Sequence, residues 1–366
     1  MHSPSPFAMK NVNWNSLIKP EVLAIAGYHL AKHEYVVKLD QNENPFGVPE
    51  PLREEILRRL RARDWSRYPD FQMQRLTERI AAYAGALTER VVVGNGSNSL
   101  IQALFWVVLA PGDRMIVTEP TFSLYAQFAR MLGAEVRTCR LQPETFALPL
   151  EALRREIREP RAKMLVLCSP NNPTGNQFSL TDIETLISEF DGLVVLDEAY
   201  REFSEQDALA LLERYENLLL LRTFSKAFAL AGLRIGYLLG APALCEQVKK
   251  ARVPYSVNLM AETAAEVCLD HLDILQQQIR DIIRLRQELL EALAPLKRVR
   301  AYPSDANFVL IRTDEPRRLF QFLLEDGILV RDVTGYPMLK QCLRISVGTE
   351  SENQRLLRRL QQWETV

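Results

Sequence analysis

The sequence predicts an α/β protein with a large domain, built on a mostly parallel sheet covered by helices on both faces, and a smaller α+β domain. Short β-branched or leucine-rich runs alternate with longer helical patterns through the middle of the chain, as in βαβ units. Runs such as LVVLD and LLLLR are apolar throughout, as strands are when helices cover both sheet faces. The length of 366 residues corresponds to about two domains.

The pattern places the elements in order along the chain. Six strands of the large sheet are predicted at Val91–Val93, Met115–Thr118, Met164–Cys168, Leu193–Asp197, Leu218–Arg222 and Ile235–Leu239, with helices at 97–110, 121–132, 149–158, 180–190 and 207–214. A long helix is predicted over 258–295, then strands near 298–302, 307–311, 328–331 and 342–347 and helices near 315–326 and 350–363. We therefore expect an N-terminal arm (1–45) packing with the small domain, a large domain (46–257) and a small domain (258–366).

Composition excludes several classes of protein. The 45 basic and 46 acidic residues leave a net charge of -1, so no global field recruits nucleic acid or an anionic membrane. The longest apolar run, 100–110, is interrupted by Gln102 and is shorter than the ~20 residues of a membrane helix. Five widely spaced cysteines without a CxxC pattern argue against a disulfide framework and a metal site. Residues 1–16 show no targeting pattern, so we expect a cytoplasmic protein.

Five predicted strands run directly into polar or aromatic clusters. These are GNGSN (94–98), EPTF (119–122), SPNNPTG (169–175), DEAY (197–200) and TFSK (223–226). Ligands of open parallel sheets bind outside the carboxyl ends of the strands. One edge of the sheet is therefore expected to hold a glycine-rich anion cradle, an aromatic ring, an amide, a buried carboxylate, a phenol and a lysine.

This set of groups suits a phosphorylated pyridine aldehyde. A lysine can form a Schiff base with the aldehyde, and a carboxylate facing the ring nitrogen keeps it protonated as an electron sink. Each cluster alone has an ordinary alternative. GNGSNS fits a plain βα turn or a degraded dinucleotide fingerprint, NNPTG fits a bare turn, and Lys226 fits a solvated loop lysine. Their ordered occurrence together favours the cofactor site.

The same motifs resemble a known family. SPNNPTG, DEAY and TFSKAFALAGLRIGY are similar to those of the fold type I pyridoxal-phosphate aminotransferases. LDQNENPFG (39–47), RYPD (67–70), YPSDANFVL (302–310), GILVRD (327–332) and CLRISVG (342–348) resemble the histidinol-phosphate aminotransferase branch. The resemblance runs from about residue 22 to 350. It departs from the branch at Gly27, where relatives usually have proline, and after Ser97, where they more often have an acidic pair.

The resemblance implies a role for each residue at the sheet edge. Lys226 would form the Schiff base with pyridoxal 5'-phosphate and move the proton between substrate Cα and cofactor C4′. Asp197 would pair with the pyridinium nitrogen, Tyr200 and Asn172 would hold the ring oxygen, and Phe122 would stack on the ring. The cofactor phosphate would be bound by Ser97, Asn98, Ser225 and Arg234, with Tyr68 reaching in from a second subunit of a homodimer with shared active sites.

The resemblance also implies the substrates. Arg344 and Arg331 would bind the phosphate of histidinol phosphate and the α-carboxylate of glutamate in turn, in a reaction with 2-oxoglutarate that belongs to histidine biosynthesis. Each arginine interrupts an otherwise apolar strand, and Tyr28 would lie near the substrate side chain. An aromatic amino-acid aminotransferase, a phosphoamino-acid decarboxylase and a catalytically silent regulator of the same fold remain open as alternatives.

Overall fold

The computed structural model describes residues 12–27 and 32–366, which form two sheets and their covering helices. The strands are β1 (Val37–Leu39), β2 (Val91–Gly94), β3 (Arg114–Glu119), β4 (Glu135–Arg140), β5 (Ala162–Cys168), β6 (Leu193–Asp197), β7 (Leu218–Thr223), β8 (Gly236–Leu239), β9 (Arg300–Ala301), β10 (Phe308–Arg312), β11 (Ile328–Asp332) and β12 (Cys342–Ser346). The α-helices are α1 (Pro20–Leu23), α2 (Glu50–Arg61), α3 (Gln74–Ala84), α4 (Gly96–Val108), α5 (Leu124–Met131), α6 (Leu150–Ile157), α7 (Leu180–Glu189), α8 (Pro242–Ala251), α9 (Leu259–Asp270), α10 (Leu272–Leu293), α11 (Pro316–Glu325) and α12 (Glu350–Trp363).

The larger sheet has seven strands in the order β2-β8-β7-β6-β5-β3-β4. Strand β8 is antiparallel to both of its neighbours, and the other pairs are parallel. Strands β2, β3, β5, β6 and β7 therefore all point the same way, and the segments after them share one edge. The predicted α/β class with a mostly parallel sheet is confirmed.

The apolar strands of this sheet are buried on both faces. In β6, the side chains of Val194 and Leu196 belong to one hydrophobic core and that of Val195 belongs to another. Because alternate side chains of a strand point to opposite faces, each face of the sheet has its own core. This arrangement requires the continuous apolar sequence of LVVLD and leaves Asp197 as the first buried polar group at the strand end.

The smaller sheet has the order β1-β11-β12-β10-β9 and is antiparallel except for the β1–β11 pair. Its own core includes apolar residues of α10, α11 and α12, with Trp363 fully buried. Residues 37–39 thus join a sheet otherwise built from residues 300–346. The domain boundaries at 45/46 and 257/258 stay predictions.

The structure departs from the predicted elements at several places, and β1, α1, α2, α3 and α8 had no counterpart in the prediction. Strand β4 was not predicted, because EVRTCR lies at the sheet edge with most side chains partly exposed and lacks an apolar run. The single helix predicted over 258–295 is wrong, since His271 (φ -130°, ψ 48°) separates α9 from α10 while the apolar periodicity continues across the break. The α-helix predicted at 207–214 is a 3₁₀-helix, Leu209–Glu213. No helix among the described residues is long and apolar enough to cross a membrane.

Candidate active site

A cavity of about 540 Å³ opens at the carboxyl edge of the large sheet, and its lining includes Arg331 and Arg344 of the small sheet. Among the predicted site residues it is lined by Ser97, Asn98, Phe122, Asn172, Asp197, Tyr200, Ser225, Lys226, Arg234, Arg331 and Arg344. Of the two others, Tyr28 lies outside the described residues. Tyr68 lies away from this cavity on the surface, where its ring is 81% exposed and stacks on Tyr255 at a centroid distance of 4.5 Å.

Asp197 is a buried carboxylate at the end of β6. Its Oδ2 accepts a hydrogen bond from the Tyr125 hydroxyl at 2.6 Å, and its Oδ1 accepts one from the Ala199 N–H at 3.0 Å. Burial raises the pKa of Asp197 to about 6, against the lowering effect of these two hydrogen bonds. Within the described chain it forms no ion pair, so a cationic ring nitrogen is the kind of partner that would stabilise its charge.

Lys226 follows β7 and lines the same cavity as Asp197. Its Nζ donates to the Gln41 carbonyl at 2.9 Å and lies 5.9 Å from the ring centroid of Tyr200. Burial and, to a smaller extent, the positive charge of Arg344 lower the pKa of Lys226 to about 7. A substantial fraction of the amine is therefore neutral near pH 7, as a nucleophile toward an aldehyde must be.

The segment after β2 forms a tight cradle with Arg234. Gly96 has φ +74°, and a Cβ at this position would lie 2.7 Å from Arg234 Nη2. A Cβ at Gly236 would lie 2.7 Å from the backbone nitrogen of Ser97, at the start of α4. Arg234 Nη1 also donates to the Ser225 hydroxyl at 3.3 Å. The free N–H groups of a helix N-terminus beside a guanidinium are suited to bind a phosphate.

Two arginines of the small sheet face the same cavity. Arg331 on β11 and Arg344 on β12 are paired in register, so their side chains lie on one face. Arg344 is buried and donates to Asn172 Oδ1 at 2.5 Å and to the Asp40 carbonyl at 2.6 Å. Arg331 is partly exposed. The pair adds two guanidinium groups to the lining of the cavity that also contains Arg234.

Sequence reasoning assigned no role to several cavity residues. Tyr125 lies within α5, beyond the segment 119–122 at the end of β3, so the strand-end pattern does not indicate it. Gln41 and Asn42 fall in LDQNENPFG, which was used only as evidence of resemblance. The contacts of Gln41 with Lys226 and of Asn42 with Tyr200 cross between residues more than 150 positions apart, so no local pattern indicates them.

The sequence matches the family of aminotransferases class I and II over residues 34–360. The chain belongs to this family. It is 36% identical over 350 residues to a histidinol-phosphate aminotransferase of Prosthecochloris aestuarii, covering 95% of this chain and 98% of the relative. It is 39% identical over 348 residues to histidinol-phosphate aminotransferase 2 of Nitrosococcus oceani, covering 94% and 96%.

Solved structures agree on the fold. The histidinol-phosphate aminotransferase of Sinorhizobium meliloti, solved in complex with pyridoxal-5'-phosphate, superimposes with a TM-score of 0.85 at 24% identity and covers 96% of this chain and 98% of that one. The predicted membership in the fold type I aminotransferases is confirmed, and the chain is a pyridoxal-phosphate-dependent aminotransferase. The residues present fit the cofactor, because the cavity holds a buried carboxylate without an ion pair in the described chain, a partly neutral lysine and a phosphate-sized cradle.

Proposed function

We propose that this aminotransferase converts histidinol phosphate and 2-oxoglutarate to imidazole-acetol phosphate and glutamate, reversibly, in histidine biosynthesis. The observation that carries the proposal is the in-register pair Arg331 and Arg344, which faces the cavity of Lys226. Histidinol phosphate brings a phosphate and glutamate brings carboxylates. A planar guanidinium fork donates paired hydrogen bonds to either anion, so the same pair can serve both half-reactions. The names of the relatives support this substrate.

The bound cofactor supplies an aldehyde for a Schiff base and a protonated ring that accepts electrons from the substrate Cα. In our proposal, Lys226 attaches the cofactor and afterwards moves a proton between substrate Cα and cofactor C4′ as general base and acid. Asp197 keeps the ring nitrogen protonated, because a buried carboxylate gains most by pairing with that cation. Tyr200 and Asn172 hold the ring oxygen, and Phe122 stacks on the ring.

The remaining residues bind the anionic and side-chain ends of the ligands. Ser97, Asn98, Ser225 and Arg234 hold the cofactor phosphate in the proposal, supported by the cradle geometry. Arg344 contacts Asn172, so a substrate anion bound to Arg344 would lie near the ring oxygen that Asn172 would hold. Tyr28 is proposed near the substrate side chain from the sequence resemblance.

We propose a homodimer in which Tyr68 reaches the cofactor phosphate of the partner subunit. Its support is an exposed aromatic patch formed by Tyr68, Phe71 and Tyr255, in which Tyr255 contacts both other rings and the three residues are 81%, 49% and 45% exposed. Such a patch is typical of an interaction surface. Sedimentation of the purified protein at twice the chain mass tests this part of the proposal. The cytoplasmic location stays a prediction.

A side-by-side assay tests the substrate. Purified enzyme with 2-oxoglutarate is given histidinol phosphate, phenylalanine, tyrosine or a phosphoamino acid, and both glutamate production and carbon dioxide release are measured. We expect kcat/KM for histidinol phosphate to exceed that for phenylalanine by at least about 100-fold, since phenylalanine cannot supply the dianion for the arginine pair. Equal or faster turnover of phenylalanine would indicate an aromatic aminotransferase. Carbon dioxide release from a phosphoamino acid would indicate a decarboxylase.

The lowered pKa of Lys226 predicts the pH dependence of cofactor capture. Cofactor-free enzyme mixed with excess pyridoxal phosphate should bind it faster as pH rises toward about 7, and the rate should level off above that value. An ordinary lysine would keep accelerating to about pH 10.5. Because the unfolded chain binds more protons than the folded one between these values, the Lys226 contribution to the free energy of unfolding rises with pH over that range. Stopped-flow absorbance across pH 5.5 to 10 measures the capture rate, and a rate that keeps rising beyond about pH 9 contradicts the assignment.

A further inference from the structure

Asn42 lies in an unusual backbone conformation beside the active-site cavity. It is 1% exposed and has φ +53°, in the left-handed region. Among residues with a side chain, asparagine and aspartate are the ones that adopt this region most readily, whereas glycine adopts it without cost. The backbone at this position therefore favours asparagine, aspartate and glycine, and these three residues differ in the hydrogen bonds that they can form.

The small sheet fixes the orientation of the Asn42 side chain. The Ser346 hydroxyl accepts a hydrogen bond from the Asn42 backbone N–H at 2.8 Å and donates to Asn42 Oδ1 at 3.3 Å. The Asn307 amide donates to the Asn42 carbonyl at 3.0 Å. Because the Ser346 oxygen already accepts from the backbone, its proton is free to donate to Oδ1. The amide nitrogen of Asn42 consequently points away from Ser346.

That nitrogen donates to the Tyr200 hydroxyl at 3.0 Å. A phenol has one proton, and burial raises the pKa of Tyr200 well above its ordinary value, so the proton is retained. With the amide donating to its oxygen, the phenol must donate its own proton elsewhere, and no described residue accepts it. The hydroxyl lines the cofactor cavity together with Asn172. The ring oxygen of the cofactor is the acceptor that this geometry leaves.

We propose that Asn42 is a positioning residue, which directs the Tyr200 hydroxyl proton toward the ring oxygen of bound pyridoxal phosphate. The inference rests on the proposed function, in which Tyr200 holds that oxygen. Of the residues suited to the Asn42 backbone, glycine has no donor and an ionised aspartate can only accept. Asparagine alone among them both tolerates the conformation and supplies the donor.

The test compares Asn42→Asp with Asn42→Gly, two substitutions that suit the positive φ. In Asn42→Asp the carboxylate accepts the Tyr200 proton and turns it away from the ring oxygen. The ring oxygen then keeps more negative charge, which holds the chromophore in its protonated form to higher pH. We expect the midpoint of the cofactor's absorption change to rise by about one pH unit or more and the cofactor dissociation constant to rise about tenfold. Asn42→Gly should shift both in the same direction by less, because the phenol can still find the ring oxygen.

A double substitution distinguishes an effect of Asn42 through the Tyr200 hydroxyl from a general change in the structure of the site. If Asn42 acts through the phenol, Asn42→Gly should add no further midpoint shift once Tyr200→Phe has removed the hydroxyl. The titratable groups that also face Tyr200 are Lys226, Asp197, Arg344 and Cys168, and all stay unchanged in these variants.

Asn217→Asp is the matched structural control. The Asn217 amide donates to the carbonyls of Ile187, Phe190 and Gly192, outside the cavity lining. It should lower the melting temperature and leave the spectroscopic midpoint unchanged. A wild-type midpoint and cofactor affinity in Asn42→Asp, or an undiminished effect of Asn42→Gly in the Tyr200→Phe background, overturns the inference. Wild-type protein that binds no cofactor and shows no chromophore overturns the proposed function itself, and the inference with it.

Discussion

Replacing Lys226 by alanine is expected to abolish transamination, with kcat falling by about 10⁵-fold or more. Of the described lysines, Lys226 alone lines the cavity, and it is the amine whose pKa is lowered to about 7. Both of its proposed tasks, attachment of the cofactor and transfer of the Cα proton, are lost together. Removal of a covalent nucleophile from other enzymes costs about 10⁶-fold in kcat. Steady-state glutamate production and a single-turnover experiment on the purified variant measure the effect.

Two controls separate lost chemistry from lost folding. Lys163→Ala removes a surface lysine whose partner is Asp113, and its activity should stay at the wild-type level. A small primary amine added to the Lys226→Ala enzyme should restore a minor part of the proton transfer, because the cavity around the missing side chain remains. Full activity of Lys226→Ala would contradict the assignment of this residue and of the cofactor chemistry that depends on it.

The sheet edge could be predicted from sequence because its residues sit at strand ends. Asp197 closes an apolar strand, and Lys226 follows another, so βα alternation alone brings them to the same edge. The residues that contact these site residues from other elements could not be predicted in this way. Tyr125 reaches Asp197 from a helix, and Asn42 reaches Tyr200 from a segment held by the small sheet. These contacts depend on how the two sheets are placed, which no local periodicity encodes.

The errors at His271 and at strand β4 arise because neither feature leaves a signal in the apolar pattern of the sequence. Apolar periodicity reports which face of an element is buried and is insensitive to a single non-helical residue such as His271. Edge strand β4 carries little apolar signal because one side of the strand has no neighbour to cover it. The long helix and β4 were mispredicted because a single non-helical residue or an edge position, and not burial alone, determines these elements.

Replacing Arg344 by alanine should leave the cofactor bound and strongly reduce kcat/KM for both substrates. The guanidinium is 8% exposed and is held by Asn172 and the Asp40 carbonyl, so it is already oriented before an anion arrives. Truncating a buried, hydrogen-bonded charge typically costs about 2 to 4 kcal/mol, or roughly 30- to 1,000-fold in kcat/KM. Because one pair of arginines serves both half-reactions, the loss should appear with histidinol phosphate and with glutamate alike.

Two further variants test whether the paired hydrogen-bond donors of the Arg344 guanidinium, and not its charge alone, are required. Arg344→Lys keeps the charge but loses the paired donors, so we expect it to recover only part of the lost kcat/KM. Arg312→Ala on the neighbouring strand β10 removes a side chain that contacts Glu144 and Gln341, and it should behave as wild type. All three proteins should remain yellow, since Asp197 and Lys226 are untouched. An Arg344→Ala enzyme within threefold of wild type for both substrates would place the anion site elsewhere, with Arg331 the other small-sheet cation that lines the cavity among the described residues.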